Sequence, residues 1–253
     1  SRPMPMPPAA PPHAPRSPNP ANDHAEQGSS VRMAFRRIRD LIVRGHLAPG
    51  SRIVEADLAQ ALGVSRTPIR GALHMLQRDG YIVAASSDSK PRLAVAPLTK
   101  DDARALYQMT GALEGLAALR TATLAKHARV QLAEKLEKWN GQLQRLAEAH
   151  EADPNLIFDY DTSFHRVLVE ATAGARLRAA HEAIKPQIER YSRLYASVII
   201  DHLGESVQEH TTIIQAVAKG QGEAAEASIR LNWHNGAERL CKVIVMFGER
   251  GRW

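Results

Sequence analysis

The stretch from Leu58 to Arg70 constrains the fold of this chain more than any other segment. Its apolar side chains can pack two short helices against each other: Leu58, Leu62, Val64 and Ile69. Gly63 supplies the turn between these helices, Ser65 suits the N-cap of the second, and Pro68 lies in its first turn, where no N–H bond is lost. The segment therefore predicts two short helices joined by a tight turn.

The sequence before and within this stretch extends the pair to three helices. Apolar residues near three-to-four spacing from Met33 to Val43 predict an amphipathic helix, and Leu47–Gly50 predicts a turn. We expect the second helix at Glu55–Leu62 and the third from Ser65 to about Arg78.

Two short extended runs follow, at Tyr81–Ala84 and Leu93–Val95. The polar residues Ser86–Lys90 link them as a hairpin. The order helix, helix, turn, helix, hairpin is that of a winged helix-turn-helix, which we assign to residues 29–97.

Positive charge is concentrated in this unit. Residues 31–97 hold 11 Lys and Arg against 5 Asp and Glu, whereas residues 98–253 hold 20 of each. A basic module beside a neutral one suggests that only the first meets a polyanion. The alternative is an ordinary solvated basic surface.

The first turn of the third helix is the candidate DNA-reading surface. Its exposed polar residues are Ser65, Arg66, Thr67 and Arg70. A helix N-terminus is an anion site, and arginine there can reach phosphates or the O6 and N7 edge of guanine. Lys90 and Arg92, at the hairpin tip, can lie along the DNA backbone or in the minor groove. The alternative for Arg66 and Arg70 is a role in surface solubility alone.

The segment from Phe35 to Pro97 resembles the GntR family of transcription regulators. The matching motifs are Gly45–Gly50, Leu58-Ala59, Gly63–Arg70, Ala72-Leu73 and Asp79–Tyr81. This resemblance implies that Arg66 and Arg70 contact DNA. The chain departs from the family at Ala56, where some members have a further DNA-contacting arginine, and near Arg92, where the wing usually carries a glycine.

From Thr99 onward the pattern is almost wholly helical. Thr99 suits the N-cap of the first helix, with acidic residues in the first turn. The fold class is therefore mainly α, with an all-helical bundle at residues 98–253. Six helices are expected in it, at about 100–125, 129–150, 155–172, 176–200, 205–219 and 222–247.

Composition bounds the remaining possibilities. Residues 1–28 are rich in Pro, Ala, Ser and Asn without an apolar period, so we expect a disordered tail. The one cysteine, Cys241, excludes an internal disulfide framework and a cysteine-based zinc cluster. No run reaches the roughly 18 apolar residues of a membrane-spanning helix, and no signal peptide is recognised, so we expect a cytoplasmic protein.

Asp161 and His165 lie four residues apart, so a carboxylate and an imidazole share one helical face and can ligate one ion. The more common alternative is an exposed Asp–His contact. Residues 99–245 resemble the FCD-type ligand domain of the FadR subgroup of GntR regulators. The matches are Leu113-Glu114, Asp161–His165, Glu209-His210 and Ala216–Glu226. This resemblance implies a divalent metal ion held by one Asp and three His, which helps to bind a carboxylate effector.

The place of the family's third histidine is taken by Asn232, and His234 lies two residues further on. Two residues rotate a helix by about 200°, so both cannot face the core. Asn232 shares a face with Ile229 and Leu240, so we place it inward as the fourth ligand, with His234 as the fallback. An amide oxygen is a weaker and harder ligand than imidazole, so we expect weaker binding of zinc, nickel or manganese, or a different preference among them.

We assign Thr110, Glu114 and Arg166 to the effector pocket. Thr110 stands where the family often has an arginine that faces the pocket, so the metal would supply most of the charge for a carboxylate. Arg166 and Arg190 could compensate, although both also fit a solvated surface.

The sequence therefore favours a regulator that binds a double-stranded DNA operator as a homodimer, since one winged helix reads only a few base pairs. A small metabolite, a carboxylate, would control its operator affinity. The alternatives are a metal-only sensor and a metal-dependent hydrolase with Glu114 as a candidate base. The sequence carries no nucleophile motif, phosphate loop or HExxH motif, so we expect no enzyme activity.

Overall fold

The computed structural model describes residues 20–85, 92–149, 153–199 and 202–251. Within these ranges the chain forms nine α-helices and one two-stranded sheet. The helices are α1 (Pro20–Val43), α2 (Glu55–Leu62), α3 (Arg66–Arg78), α4 (Lys100–Leu119), α5 (Lys126–Glu148), α6 (Pro154–Thr172), α7 (Ala175–Ile199), α8 (Leu203–Lys219) and α9 (Gly222–Phe247). The strands are β1 (Ile82–Ala85) and β2 (Arg92–Val95), and a 3₁₀ helix at Arg120–Thr123 follows α4.

The helix-turn-helix consists of α2 and α3, where the sequence predicts them. Gly63 ends α2 with a φ of 66°, a left-handed conformation that glycine adopts at little steric cost. Ser65 precedes α3 in an extended conformation, but its side chain makes no cap hydrogen bond. Ser65 thus occupies the N-cap position while its hydroxyl stays exposed.

The wing is the antiparallel pair of β1 and β2, in which Ile82 lies opposite Val95. The residues between the strands, 86–91, lie outside the described ranges. A third segment also pairs with β2, because the N–H of Ile53 donates to the Leu93 carbonyl at 2.8 Å. The sequence predicts only a turn before this segment, because a pairing of so few residues leaves no alternation to detect.

An apolar core joins α1, α3 and the wing. Its fully buried large side chains include Ile38, Ile69, Leu76 and Ile82. The helix α1 begins at Pro20, so residues 20–28, which the sequence assigned to a disordered tail, are helical. This part contains the good helix formers Ala, Glu and Gln, which extend a helix without an apolar face. Residues 1–19 of the expected tail lie outside the description.

The helical domain contains six helices, α4 to α9, as the sequence predicts. Thr99 caps α4, since its Oγ1 accepts a hydrogen bond from the Asp102 N–H at 3.2 Å. The helices α4 and α9 pack closely because Gly111 has no side chain, and a Cβ there would lie 3.0 Å from the Cβ of Trp233. The largest apolar cluster of this domain surrounds Phe164, Leu168 and Ile213.

Among the described helices, no stretch is long and apolar enough to cross a membrane.

Candidate nucleic-acid interface and candidate metal centre

The first turn of α3 presents a polar surface to solvent. Ser65, Arg66, Thr67 and Arg70 are all exposed, whereas Pro68 and Ile69, between them, are buried. The buried pair anchors the turn in the core. The exposed residues share the N-terminus of α3, where unpaired N–H groups favour an anion.

Arg70 is held in place by an acidic residue of α2. Its Nε donates to Oε2 of Glu55 at 2.8 Å, and the Arg70 side chain stays 64% exposed. An exposed ion pair contributes little to stability, about 0–1 kcal/mol. Its effect is to orient the guanidinium while leaving its other N–H groups available to a phosphate or a base.

The wing contributes one cation within the described ranges. Arg92 is exposed and begins β2, opposite Ala85, at the end of the sheet nearest the hairpin tip. Lys90, the other wing residue predicted to meet DNA, lies outside the described residues.

The helical domain encloses a cavity of about 130 Å³. Five helices line it, and α5 lies behind them. Among its polar lining residues are Glu114 of α4, Asp161 and His165 of α6, His181 and Lys185 of α7, and Asn232 and Arg239 of α9. Polar groups from several helices therefore converge on one space, which is typical of a ligand site.

Asp161 and His165 line this cavity, and His210 lies close to both. Their ligand atoms all lie within 4.8 Å of one another. Oδ1 of Asp161 is 3.7 Å from Nε2 of His210, and Oδ2 is 4.0 Å from Nε2 of His165. Two ligands at about 2.1 Å from one ion lie roughly 3.0–3.5 Å apart, so a small side-chain rotation would bring this set to metal-binding distance.

The tautomer of His210 follows from its neighbour Asn140. Nδ1 of His210 lies 3.2 Å from Oδ1 of Asn140, and an amide oxygen only accepts, so the Nδ1–H donates. Asn140 is itself oriented because its Nδ2 donates to the Val207 carbonyl. Nε2 of His210 is buried and has no hydrogen-bond partner among the described residues. The His210 ring also stacks on Phe164 at 3.9 Å, so the nitrogen is fixed in direction.

His165 is oriented by Glu114 in the same manner. Its Nδ1–H donates to Oε2 of Glu114 at 2.6 Å, which leaves Nε2 facing Asp161. A carboxylate behind a histidine fixes its tautomer and raises its basicity as a metal ligand. Sequence analysis placed Glu114 in the effector pocket, and the structure adds this contact behind a candidate ligand.

The carboxylate of Glu114 accepts hydrogen bonds from three side chains, one each on α6, α7 and α9. Besides His165, it accepts from Nε2–H of His181 at 2.8 Å and from Nε1–H of Trp233 at 2.8 Å. Burial alone would raise the pKa of Glu114, but His165 and His181 lower this pKa to about 2. A fully buried carboxylate is therefore kept ionised by its partners.

The pKa values of His165 and His210 are shifted in opposite directions. Burial would lower the pKa of His165, but the charges of Glu114 and Asp161 raise it to about 9. Burial, together with the nearby His165, holds the pKa of His210 well below its usual value. Burial raises the pKa of Asp161, with His165 opposing the shift. His210 is thus neutral, the form in which imidazole ligates metal, whereas His165 is protonated and has to release its Nε2 proton when an ion binds.

Asn232 and His234 point in different directions. Asn232 is 6% exposed and lines the cavity, whereas His234 is exposed. This orientation agrees with the rotation argument from the sequence. The Nδ2 of Asn232 donates to Oε2 of Glu209 at 2.7 Å, so its amide oxygen is turned away from that carboxylate.

Not all of the residues predicted for the effector pocket line the cavity. Thr110 lines the cavity, although its hydroxyl donates to the Leu106 carbonyl of its own helix. Arg166 does not line the cavity and lies 3.8 Å from Glu170 on the surface of α6, so its assignment to the pocket needs correction. Arg190 is buried against the DNA-binding domain instead of facing the cavity. Arg166 is exposed to solvent, whereas Arg190 faces the residue that follows β2.

Sequence analysis missed three ionisable residues of the cavity: His181, Lys185 and Arg239. His181 continues the apolar stripe of α7 formed by Leu177, Ile184 and Ile188, and a buried histidine on such a stripe was the available signal. Lys185 and Arg239 carried none, because long cations on an amphipathic helix are usually solvated.

The fold and these surfaces together define a DNA-binding transcription regulator that joins a winged helix-turn-helix to a helical domain with a polar cavity. The sequence matches the family described as bacterial regulatory proteins, gntR family, over residues 31–88, and the FCD domain over residues 105–234. The chain therefore belongs to the GntR family of transcription regulators that carry an FCD domain.

Relatives and solved structures agree with this assignment. YdhC, an HTH-type transcriptional regulator of Bacillus subtilis (strain 168), is 28% identical over 83% of this chain and 90% of its own length. LutR of the same bacterium is 28% identical over 75% of this chain and 91% of its own. E. coli McbR/YncC shares the fold, with a TM-score of 0.60 at 18% identity over 84% of this chain and 97% of its own. Since these families and relatives are regulators, the chain is not an enzyme, and the hydrolase alternative is set aside.

Proposed function

We propose that this regulator binds operator DNA through α3 and the wing, and that a carboxylate metabolite in the helical-domain cavity controls its operator affinity at a divalent metal site. The observation that carries the proposal is the unpartnered Nε2 of His210, which is buried and lies 3.7 Å from Oδ1 of Asp161. A buried nitrogen without a partner costs about 1–3 kcal/mol, and a metal ion is the partner that its neighbours favour.

Asp161, His165 and His210 would hold the ion, and the amide oxygen of Asn232 is the fourth candidate. The donor set of two imidazoles, one carboxylate and one amide suits zinc, nickel or manganese. When bound, the ion supplies positive charge and an open coordination position for a ligand oxygen. Asn140 and Glu114 hold the two imidazoles so that their Nε2 atoms are presented to it.

Cationic side chains support an anionic effector. Thr110 replaces the arginine expected from the family, but Lys185 and Arg239 line the same cavity. Arg239 is bonded twice to Glu209, at 2.8 and 3.1 Å, so its charge is largely balanced. Lys185 has no ion-pair partner within the described ranges, and it is the better candidate to meet a carboxylate.

A second copy of the chain is the expected partner. Two DNA-binding domains reading paired half-sites are the usual arrangement for this motif. Large apolar side chains remain exposed along the outer face of α4 and α9: Met109, Leu116, Leu231, Val245 and Met246. An exposed apolar stripe of this kind is typical of a subunit interface. A regulator that binds operator DNA acts where that DNA lies, so we expect a cytoplasmic protein.

Metal content tests the site directly. Protein purified without a histidine tag is compared with the His165→Ala/His210→Ala double variant, and with His127→Ala/His234→Ala as the matched control on exposed histidines. Elemental analysis should show about one zinc, nickel or manganese per chain in the wild type and control, and little in the first variant. Equal and negligible metal in all three, with no thermal stabilisation by added ions, would refute the site.

The metal-only sensor remains the second candidate, supported by the small volume of the cavity. Chelation followed by metal alone, and then by metal with carboxylates, separates the two functions. A change in operator affinity that is complete with metal alone favours the sensor.

A further inference from the structure

Helix α7 contacts the cavity and the DNA-binding domain with different residues. The residues that line the cavity recur every three or four positions and so form one stripe: His181, Lys185, Ile188 and Ser192. Gln187 and Arg190, off this stripe, bind backbone groups of the DNA-binding domain. One helix therefore touches both the candidate ligand and the DNA-reading unit.

Arg190 is an unusual buried cation. It is 4% exposed, its Nη2 donates to the Ala96 carbonyl at 2.6 Å, and its Nη1 donates to Oε1 of Gln187 at 2.8 Å. Its guanidinium also lies 5.9 Å from the ring centroid of Tyr81. Both acceptors are neutral amides, so within the described part of the chain no opposite charge at hydrogen-bond distance offsets the desolvation of the guanidinium.

Gln187 completes the contact. Its Nε2 donates to the Asp79 carbonyl at 2.9 Å, while its Oε1 accepts from Arg190. Asp79 is the C-cap residue of α3, and Ala96 directly follows β2. Gln187 and Arg190 thus hydrogen-bond to both parts of the DNA-binding domain that we expect to contact DNA, the helix α3 and the wing. We call this pair the α7 clamp.

A costly buried cation of this kind contributes orientation more readily than stability, because its hydrogen bonds are satisfied in only one arrangement. Pro186 lies next to the clamp and inside α7, where it removes one helical hydrogen bond and makes this point of the helix easier to bend. Lys185, a cavity residue, precedes it directly.

We propose that the α7 clamp fixes the orientation of the DNA-binding domain on the helical domain, and that α7 transmits occupancy of the cavity to that domain. The second part rests on the proposed function, since it requires a ligand in the cavity. A ligand that shifts α7 would shift the clamp, and two DNA-binding domains would lose or gain the spacing that paired half-sites require.

Calorimetry of the full chain tests the clamp without any ligand. The variants are Arg190→Met and the milder Gln187→Ala. The matched control is Arg193→Met, because Arg193 lies on the same helix but pairs with Glu189 of that helix instead of with the DNA-binding domain. Wild type and control should unfold in one transition. Arg190→Met should release the DNA-binding domain into a separate transition, lower by on the order of 5 °C or more. A single transition for both Arg190→Met and Gln187→Ala would overturn the clamp.

Zinc alone tests the transmission in the same instrument, because a ligand stabilises every part that is coupled to its site. Added zinc should raise the single transition of wild type and control. In Arg190→Met it should raise the transition of the helical domain alone. An equal rise of both transitions in Arg190→Met would overturn transmission through the clamp. If zinc shifts nothing in the wild type, the proposed metal site fails, and the clamp is judged by the separation of transitions alone.

Discussion

Nδ1 of His165 lies 2.6 Å from Oε2 of Glu114, and this contact decides which nitrogen the imidazole presents to the cavity. The same ring orientation turns Nε2 toward Asp161, whose Oδ2 lies 4.0 Å away. Glu114 of α4 thereby determines which ring nitrogen of His165, on α6, is available as a ligand. The consequences for metal binding, DNA binding and stability can each be measured.

Glu114→Gln should weaken metal binding without removing a ligand. The amide keeps the shape of the side chain but loses the charge that makes His165 a stronger donor, so affinity should fall about 10–100-fold. Isothermal titration with zinc or nickel measures the change. Glu134→Gln, on an exposed position of α5, is the control and should bind like the wild type. Unchanged affinity in Glu114→Gln would contradict the proposed contribution of Glu114.

Asn232→His should strengthen metal binding. The new imidazole would stand in the position where the family's third histidine is expected, and imidazole is a better ligand for zinc and nickel than an amide oxygen, so affinity should rise on the order of tenfold or more. His234→Asn serves as the control because His234 is exposed. If titration shows the same affinity for Asn232→His and wild type, position 232 does not face the ion.

Arg66 and Arg70 should carry DNA affinity that a third arginine of α3 does not. Arg66→Ala or Arg70→Ala should cost about 1–3 kcal/mol where the guanidinium reads a base. Arg78→Ala, at the exposed far end of the same helix, should have little effect. Fluorescence anisotropy on an operator selected from random DNA gives the affinities, and affinity should fall steeply with salt. A folded Arg66→Ala/Arg70→Ala variant with wild-type affinity would exclude this surface.

Two glycines of the helical domain should respond to alanine in opposite directions. A Cβ at Gly222 would collide with the Leu119 carbonyl, so Gly222→Ala should destabilise the domain by about 1–3 kcal/mol. Gly141 lies inside α5 with open space around it, so Gly141→Ala should stabilise the protein by up to about 1 kcal/mol. Urea unfolding measures both, and equal effects would show that the helix contact at Gly222 is misplaced.

Local signals made the helix-turn-helix predictable. Gly63 and Ser65 mark helix ends through backbone geometry that depends on neighbouring residues alone. The inward position of Asn232 followed from helical rotation, which is equally local.

The relations between distant segments could not be predicted from one sequence. Arg190 gave no sign of its contact with Ala96, because that contact depends on how two domains pack. The hydrogen bonds that converge on Glu114 come from three helices. The spacing of their donors along the sequence gives no indication of this convergence. In the sequence Lys185 and Arg239 resemble surface cations, but in the structure they line the cavity.

A ligand in the cavity should control operator binding. The most direct measurement is the operator dissociation constant, by anisotropy, in the presence of each carboxylate that raises the melting temperature of the metal-loaded wild type. We expect at least one such compound to change this constant about fivefold or more in the wild type, and to change neither quantity in His165→Ala/His210→Ala. Operator affinity that stays the same with every compound that binds would contradict the claim.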